Sequence, residues 1–157
     1  MTFAVTSKGF TDGGALPDAQ VMAKGNRSPQ LSWSGAPEGT KSFAVTCYDP
    51  DAPTGSGFWH WTVANIPADV TELAEGASPA GLPRGAVEGR TDFGPPGFGG
   101  AAPPQGHGPH RYIFTVFAVD VENLPMTPED SGAKYGFNLH FHTLAKASIT
   151  GIYENRD

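Results

Sequence analysis

Strand-forming residues are concentrated in four separate runs of the 157-residue chain, and each run stops at a segment of turn-forming residues. The runs occupy residues 42–48, 58–66, 111–120 and 147–153. Aromatic and β-branched side chains dominate them, which is typical of β-strands. The run at 111–120 is apolar almost throughout, so it predicts a central strand that is covered on both faces.

Helical signals are confined to the last third of the chain. Residues 127–130, Thr-Pro-Glu-Asp, offer an N-cap followed by proline and acidic residues, as at the start of a helix. The spacing of apolar residues predicts one helix over residues 135–146. Its apolar positions are Phe137, Leu139, Phe141 and Leu144. Several strands, one late helix and a further strand indicate a mainly β protein, a β-sandwich with a peripheral helix.

The chain is rich in glycine and proline, with 21 Gly and 15 Pro, and this excludes a helical bundle. Ten of the glycines and seven of the prolines fall between residues 76 and 109. A long loop inside a compact domain is usually functional, and this one leads directly into the strand at 111–120. We therefore expect an ordered wall within one domain that spans residues 1–157.

The net charge of −6 disfavours a nucleic-acid surface, which needs clustered Lys and Arg. No apolar stretch approaches the roughly 18–20 residues that cross a bilayer. The segment that begins at Met1 lacks the basic and apolar regions of a signal peptide. The single Cys47 cannot form an intramolecular disulfide, which agrees with a reducing compartment. We therefore expect a cytoplasmic protein without stable membrane insertion.

Four side chains near strand ends are candidates for chemistry. Alternation along a strand predicts one face with Phe58, His60 and Thr62, and an opposite face with Trp59, Trp61 and Val63. His110 and Tyr112 share a face of the next long run, and Asp49 lies where a strand meets a turn with two prolines. Two imidazoles, a phenol and a carboxylate beside Gly/Pro loops therefore predict one small polar pocket.

Imidazoles and Gly-rich backbone supply hydrogen-bond donors, so such a pocket suits phosphate or a carboxylate. Asp49 would then orient a histidine or accept a hydrogen bond from a ligand ammonium group. The alternative is that His60 and His110 are hydrogen-bonded within the core and that Asp49 only caps a turn. The residues by themselves leave both interpretations open.

Other reactive groups give no motif for an enzyme. His140 and His142 would share one face of a strand but point about 200° apart on a helix, and a metal site there is not favoured. Cys47 falls within an apolar strand, where burial makes a thiol inert. The Gly-x-Ser-x-Gly elbow is absent, and the glycines at 97–100 lack the spacing of a nucleotide loop. No cofactor is predicted.

Three separated motifs carry a resemblance to a known family: Asp-Pro-Asp-Ala-Pro at residues 49–53, Trp-His at 59–60, and Gly-Pro-His-Arg-Tyr at 108–112. In this order they resemble the phosphatidylethanolamine-binding protein family, in particular its bacterial branch, often described as Raf kinase inhibitor-like. Ala-Ala-Pro-Pro at 101–104 and Phe-Asn-Leu-His-Phe-His at 137–142 also fit that branch. The resemblance covers essentially the whole chain.

The resemblance implies a two-sheet antiparallel, Greek-key β-sandwich with a few short peripheral helices and an anion pocket at one end. By matching motifs, the residues of that pocket would be Asp49, Ala52, Pro53, His60, Gly100, Pro103, His110 and Tyr112. In the family this pocket accepts phosphate-like anions and phosphoethanolamine head groups. Its members are mostly regarded as binding or inhibitory modules that act on kinases or proteases.

The sequence departs from the family pattern in two places. Animal members carry a C-terminal helical extension over the pocket, whereas this chain ends at Asp157, just after the last predicted strand. We therefore expect a more open rim, and kinase regulation of the animal type is not expected. Phe58 stands where relatives often have Trp, which is a mild change.

Three hypotheses of function follow. The first is a module that binds a small anion or head group and modulates a partner protein, such as a kinase or protease. The second is an acid–base or metal-assisted hydrolase that uses Asp49, His60 and His110. The third is a structural interaction domain with an unused pocket. Exposed aromatic edges would also support a homodimer.

Overall fold

The computed structural model describes residues 2–156 of the chain. Residues 1 and 157, on which the expectations about the two chain ends partly rest, lie outside the described residues. Within residues 2–156 the chain forms eight strands, one α-helix and a short 3-10 helix at Asp18–Gln20. The strands and the α-helix are β1 (Ala4–Thr6), β2 (Leu31–Ser34), β3 (Ser42–Asp49), β4 (Phe58–Pro67), β5 (Glu72–Leu73), β6 (Val87–Glu88), β7 (His110–Val119), α1 (Gly132–His142) and β8 (Thr143–Tyr153).

The strands form two sheets whose strand pairs are all antiparallel. The larger sheet has the order β6-β4-β3-β7-β8, and the smaller sheet has the order β1-β2-β5. The four runs predicted as strands correspond to β3, β4, β7 and β8. The prediction of a mainly β, two-sheet architecture with a peripheral helix is therefore confirmed.

The two faces of the five-stranded sheet bury separate cores. On the face toward the smaller sheet, Trp61 and Phe114 belong to a large apolar cluster that also contains Trp33 of β2. On the opposite face, Ala64 belongs to a smaller cluster with Tyr135 of α1. The sheet is thus the middle layer, with the smaller sheet on one side and the helix on the other.

The strand that is buried on both faces is β3 and not β7. Seven of the eight residues of β3 are buried, whereas β7 alternates between buried and partly or fully exposed positions. The prediction that the run at 111–120 is covered on both faces is therefore wrong. β3 is the middle strand of the sheet, and α1 lies mainly against β4, so the outward side of β7 is only partly covered.

The helix begins and ends earlier than the predicted range 135–146. Its N-cap is Ser131, whose hydroxyl accepts a hydrogen bond from the backbone N–H of Lys134 at 3.2 Å. Residues 143–146 belong to β8 because they pair with β7, and those interstrand hydrogen bonds override the helical pattern. The helix therefore ends at His142.

Residues 127–130 do not begin the helix. They form a loop in which the carboxylate of Asp130 accepts a hydrogen bond from the backbone N–H of Thr127 at 2.8 Å. On α1 itself, Phe137 and Phe141 are 66% and 64% exposed, so the predicted apolar positions do not all face the sheet. Across residues 2–156, no helix is long and apolar enough to cross a membrane.

The glycine- and proline-rich segment at 76–109 is attached to the larger sheet through Glu88. β6 pairs with β4, and the Glu88 carboxylate accepts hydrogen bonds from the indole N–H of Trp61 and the hydroxyl of Ser78. The Ser78 hydroxyl also accepts from the backbone N–H of Phe98 at 3.0 Å. The segment therefore forms a wall against the sheet, as expected.

Gly132 and Gly136 of α1 offer a matched test of the packing between helix and sheet. An added methyl group at Gly132 would collide with the Trp59 ring, whereas nothing lies within 4 Å of the same group at Gly136. We expect Gly132→Ala to lower the free energy of unfolding by about 1–3 kcal/mol through overpacking. Gly136→Ala should raise it by about 0.5–1 kcal/mol through helix propensity. Urea unfolding measures both, and equal effects would contradict the packing described.

Candidate functional site

Three strand ends meet at one edge of the larger sheet. Because β3 is antiparallel to both of its neighbours, its last residue lies beside the first residues of β4 and β7. Asp49 pairs with Phe58, and Tyr48 pairs with Ile113. His110, the first residue of β7, lies three positions before Ile113, and its ring bonds to the Asp49 carboxylate. Residues far apart in the sequence are thus gathered at this edge by strand register alone.

β4 carries a β-bulge at His60. Trp61 pairs with Cys47 and Trp59 pairs with Tyr48, so His60 is an extra residue between two consecutive pairs. A bulge of this kind changes the direction of the side chains on the strand, and bulges are common beside functional sites.

The bulge corrects the predicted alternation along β4. Phe58 and His60 do face the same side and line one cavity, as expected. Thr62 was expected with them, but it lies next to Gly89 and Tyr135 on the helix side of the sheet. Trp61 joins the larger core on the opposite side. Val63 belongs to the same core, whereas the ring of Trp59 lies against Gly132 of α1. The prediction is therefore wrong for Thr62 and for the grouping of Trp61 and Val63 with Trp59, because the extra residue shifts the alternation by one position.

A cavity of about 180 Å³ opens at this edge of the sheet. Its lining residues are Asp49, Ala52, Pro53, Thr54, Phe58, His60, Phe93, Ala102, Pro103, Pro104, His110 and Tyr112. Seven of the eight residues predicted for a pocket are among them. The predicted residues are thus brought together, whereas ligand binding at the cavity stays a prediction.

Gly100 is the predicted residue that does not line the cavity. Its backbone N–H donates to the side-chain oxygen of Asn26 at 2.8 Å, and its α-carbon packs against the backbone of Gln20 and Met22. An added methyl group would collide with that backbone. Glycine at this position therefore allows close packing behind the wall of the cavity.

A buried hydrogen bond between Asp49 and His110 joins the ends of β3 and β7. The Nδ1 atom of His110 donates to Oδ2 of Asp49 at 2.7 Å, and both side chains are almost fully buried. The other oxygen of Asp49 accepts from the backbone N–H of Asp51 at 2.8 Å. On the far side of the imidazole, Nε2 of His110 lies 2.6 Å from Nδ1 of His107.

The imidazole of His60 is fixed by the backbone of the loop wall. Its Nδ1 lies 2.8 Å from the carbonyl oxygen of Gly99, and a carbonyl only accepts, so Nδ1 carries the proton. Burial lowers the pKa of His60, although the bond to Gly99 opposes that shift. His60 is therefore neutral, and its Nε2 carries a lone pair. Its ring also contacts the rings of Phe93 and Tyr112.

The hydroxyl group of Tyr112 is buried, and its proton has no acceptor within the described part of the chain, although the backbone N–H of Ala102 faces its oxygen. Burial, followed by the negative charge of Asp49, raises the pKa of Tyr112, so the hydroxyl keeps its proton. Buried hydroxyl groups are nearly always hydrogen-bonded in folded proteins. This donor in the lining of the cavity is therefore available to a ligand.

Asp51 and Arg111 hold the turn at 49–53 against β7. The guanidinium group of Arg111 donates from two nitrogens to the two oxygens of Asp51 at 3.0 and 2.9 Å, and the backbone N–H of Arg111 donates to Asp51 at 2.9 Å. These bonds lower the pKa of Asp51 to about 2. The second acid of the motif therefore supports the turn and does not line the cavity.

Comparison with known proteins decides the family. Residues 6–154 match the family profile named phosphatidylethanolamine-binding protein. The chain is 53% identical to YbcL of Escherichia coli over 97% of this chain and 87% of YbcL. The chain belongs to the phosphatidylethanolamine-binding protein family.

Other members of the family support this assignment. YbhB of Escherichia coli is 51% identical over 94% of this chain and 97% of YbhB. The crystal structure of YbcL, described as a new member of the mammalian PEBP family, superposes with a TM-score of 0.97 and 52% identity. That match covers 99% of this chain and 100% of the solved one.

In this member of the family, the neutral site presents acceptors as well as donors. Because Nδ1 of both His60 and His110 is protonated, the remaining Nε2 atoms accept hydrogen bonds when the rings are neutral. The Tyr112 hydroxyl is the matching donor. The expectation that the imidazoles supply donors is thus incomplete, since the hydrogen bonds at Nδ1 fix the tautomer of each ring and leave Nε2 as an acceptor.

The remaining histidine candidates lie elsewhere. His140 and His142 are both on α1, where a spacing of two residues directs side chains apart. Nδ1 of His142 is 2.9 Å from Oδ1 of Asp120. Among residues 2–156, no group of three or more His, Cys, Asp or Glu side chains is placed to hold a metal. Cys47 is buried, which raises the pKa of its thiol.

Sequence reasoning missed Thr54, Phe93 and His107. Thr54 and Phe93 line the cavity, and His107 contacts His110. Neither Thr54 nor Phe93 carries a pattern that distinguishes it from other loop residues. His107 has one signal, because it stands between two glycines three residues before His110.

His60 should make the stability of the protein sensitive to acid. The pKa of His60 is lowered in the folded state. The unfolded chain therefore takes up a proton on this imidazole at a higher pH than the folded protein does, near the ordinary pKa of about 6.5. The free energy of unfolding should therefore fall as the pH falls through this range. Between about pH 7.5 and about pH 5, we expect the wild type to lose about 1 kcal/mol more than His60→Gln.

Urea unfolding in buffers without phosphate or carboxylate measures this difference. Glutamine can still donate to the Gly99 carbonyl but does not titrate. The exposed His140 provides the control, and His140→Gln should lose as much stability as the wild type. An equal loss in His60→Gln and wild type would show that His60 is not held neutral.

Proposed function

We propose that this protein binds a small phosphate-type anion, free or as a phosphoethanolamine head group, in the cavity at the sheet edge. The observation that supports this most strongly is the buried Tyr112 hydroxyl, whose proton has no acceptor within residues 2–156 and which lies in the cavity lining beside His60. An oxygen atom of a ligand would accept that hydrogen bond. A purely structural pocket would leave this buried donor unsatisfied.

The hydrogen-bonding character of the site favours a protonated phosphate over a carboxylate. The neutral His60 offers a lone pair at Nε2, and Tyr112 offers a proton. A phosphate that carries one proton can donate to the first group and accept from the second. An ionised carboxylate can only accept, so it satisfies one of these groups and not the other.

The size and lining of the cavity agree with a head group. Its volume of about 180 Å³ is below the roughly 300–1,000 Å³ of pockets for drug-sized ligands. Apolar residues form much of its rim, namely Ala52, Pro53, Phe58, Phe93 and Pro104. A phosphate group would sit against the polar residues, and a short substituent would pass along the apolar ones.

The proposal includes a partner protein, such as a kinase or protease, that senses whether the cavity is occupied. Phe93 supports this part, because its ring is 38% exposed and also contacts the ring of His60, with 5.3 Å between centroids. A ligand bound at His60 would therefore change the surroundings of the Phe93 ring, which a partner can contact at the surface. Aromatic residues are enriched at protein–protein interfaces, where they contribute much of the binding energy.

Calorimetric titration with inorganic phosphate and with phosphoethanolamine tests the proposal. We expect one-to-one saturable binding to the wild type. His110→Ala should weaken it at least about tenfold, which corresponds to about 1.4 kcal/mol, because it removes a polar group from the lining. His142→Ala is the matched control, since His142 also pairs with an aspartate at 2.9 Å but does not line the cavity.

Sulfate is the second control ligand. It has the shape of phosphate but carries no proton near neutral pH, so we expect it to bind at least about tenfold more weakly than phosphate. Absence of heat with any of these ligands down to millimolar affinity would contradict the proposal. Steady release of phosphate from phosphoethanolamine would instead support the hydrolase that uses Asp49, His60 and His110.

A further inference from the structure

Both ring nitrogens of His110 are already occupied by side chains of the protein. Nδ1 bonds to Asp49 at 2.7 Å, and Nε2 lies 2.6 Å from Nδ1 of His107. In the neutral pair of imidazoles, one proton lies between Nε2 and the His107 nitrogen. The only nitrogen with which His110 could bind a ligand is therefore in use.

His107 differs from His110 in its surroundings. It is exposed to solvent and is not part of the cavity lining, whereas His110 is 1% exposed. The rings of the two residues meet edge to face with 4.8 Å between centroids. An exposed side chain that bonds a buried one can exchange that bond for a bond to water without losing a polar contact.

The backbone around His107 permits this exchange. Gly106 and Gly108 have φ angles of +76° and +93°, in the left-handed region that favours glycine, and nothing lies within 4 Å of an added methyl group at either. The backbone N–H of His107 bonds locally to the carbonyl of Pro104 at 3.1 Å. The ring of His107 can therefore move outward without disturbing a packed neighbour.

We propose that His107 is a displaceable partner of His110, which must leave Nε2 before a phosphate-type ligand can bind there. This inference rests on the proposed function. The exchange is balanced for dihydrogen phosphate, which carries two protons: one is donated to Nε2 of His60, and the other is donated to Nε2 of His110 in place of the N–H of His107. The released His107 ring then bonds to water. His107 thus lowers the affinity of the cavity by stabilising its unoccupied state.

The test is a titration of His107→Ala with inorganic phosphate. One hydrogen bond contributes about 0.5–1.5 kcal/mol, so its loss from the unoccupied state should tighten phosphate binding about two- to tenfold. Stopped-flow measurement should show a faster association rate. His107→Asn restores a side-chain N–H near the position of Nδ1, and it should bind phosphate with an affinity close to that of the wild type.

Gln105→Ala is the control for changes in the loop, because Gln105 is exposed two residues earlier and does not line the cavity. It should bind phosphate like the wild type. Weaker or unchanged binding by His107→Ala, with phosphate still bound by the wild type, would overturn the inference alone. Absence of binding in the wild type and in His107→Ala would overturn the proposed function and this inference together. Binding by His107→Ala alone would support the inference.

Discussion

The hydrogen bond between His110 and Asp49 is the interaction on which the site depends. It joins the last residue of β3 to the first residue of β7 where both are almost fully buried. A carboxylate in such a place is costly unless its oxygens are hydrogen-bonded. Here one oxygen accepts from His110 and the other from the backbone of Asp51. The turn after β3 is therefore formed around the same carboxylate that orients the imidazole.

The hydrogen bonds at Nδ1 of the two imidazoles determine which ring nitrogens can accept a hydrogen bond in the cavity. The carboxylate of Asp49 and the carbonyl of Gly99 each accept a hydrogen bond from a protonated Nδ1, so these two groups set the tautomers of His110 and His60. The Tyr112 hydroxyl remains a donor because its pKa is raised. A ligand that both donates and accepts hydrogen bonds matches this arrangement better than one that only accepts.

Much of the fold and of the site could be predicted because the signals are local. The four main strands follow from runs of β-branched and aromatic residues, and motifs at strand ends single out Asp49, His60 and His110. The membership of the family then adds Ala52, Pro53 and Pro103, which also line the cavity. The antiparallel pairing of β3 with β4 and β7 then brings these strand ends together at one edge of the sheet.

The errors arise where pairing between distant segments decides the structure. The bulge at His60 depends on how β4 pairs with β3, and the residues of β4 alone do not predict it. The helix ends at His142 because β8 pairs with β7 from Thr143 onward. Gly100 packs behind the loop wall because of contacts with Gln20, which lies eighty positions earlier in the chain. The pattern of residues within one segment cannot predict contacts between segments that are distant in the sequence.

The ring nitrogens of the five histidines provide the most direct test of this account. Long-range proton–nitrogen correlation spectra distinguish protonated from unprotonated nitrogens, and they can be followed while phosphate is added. We predict a His60 ring with protonated Nδ1, and signals of His60, His107 and His110 that change together until one site is saturated. His140 and His142 should not change. No change in the signals of His60, His107 and His110, or equal changes in all five histidines, would contradict this prediction.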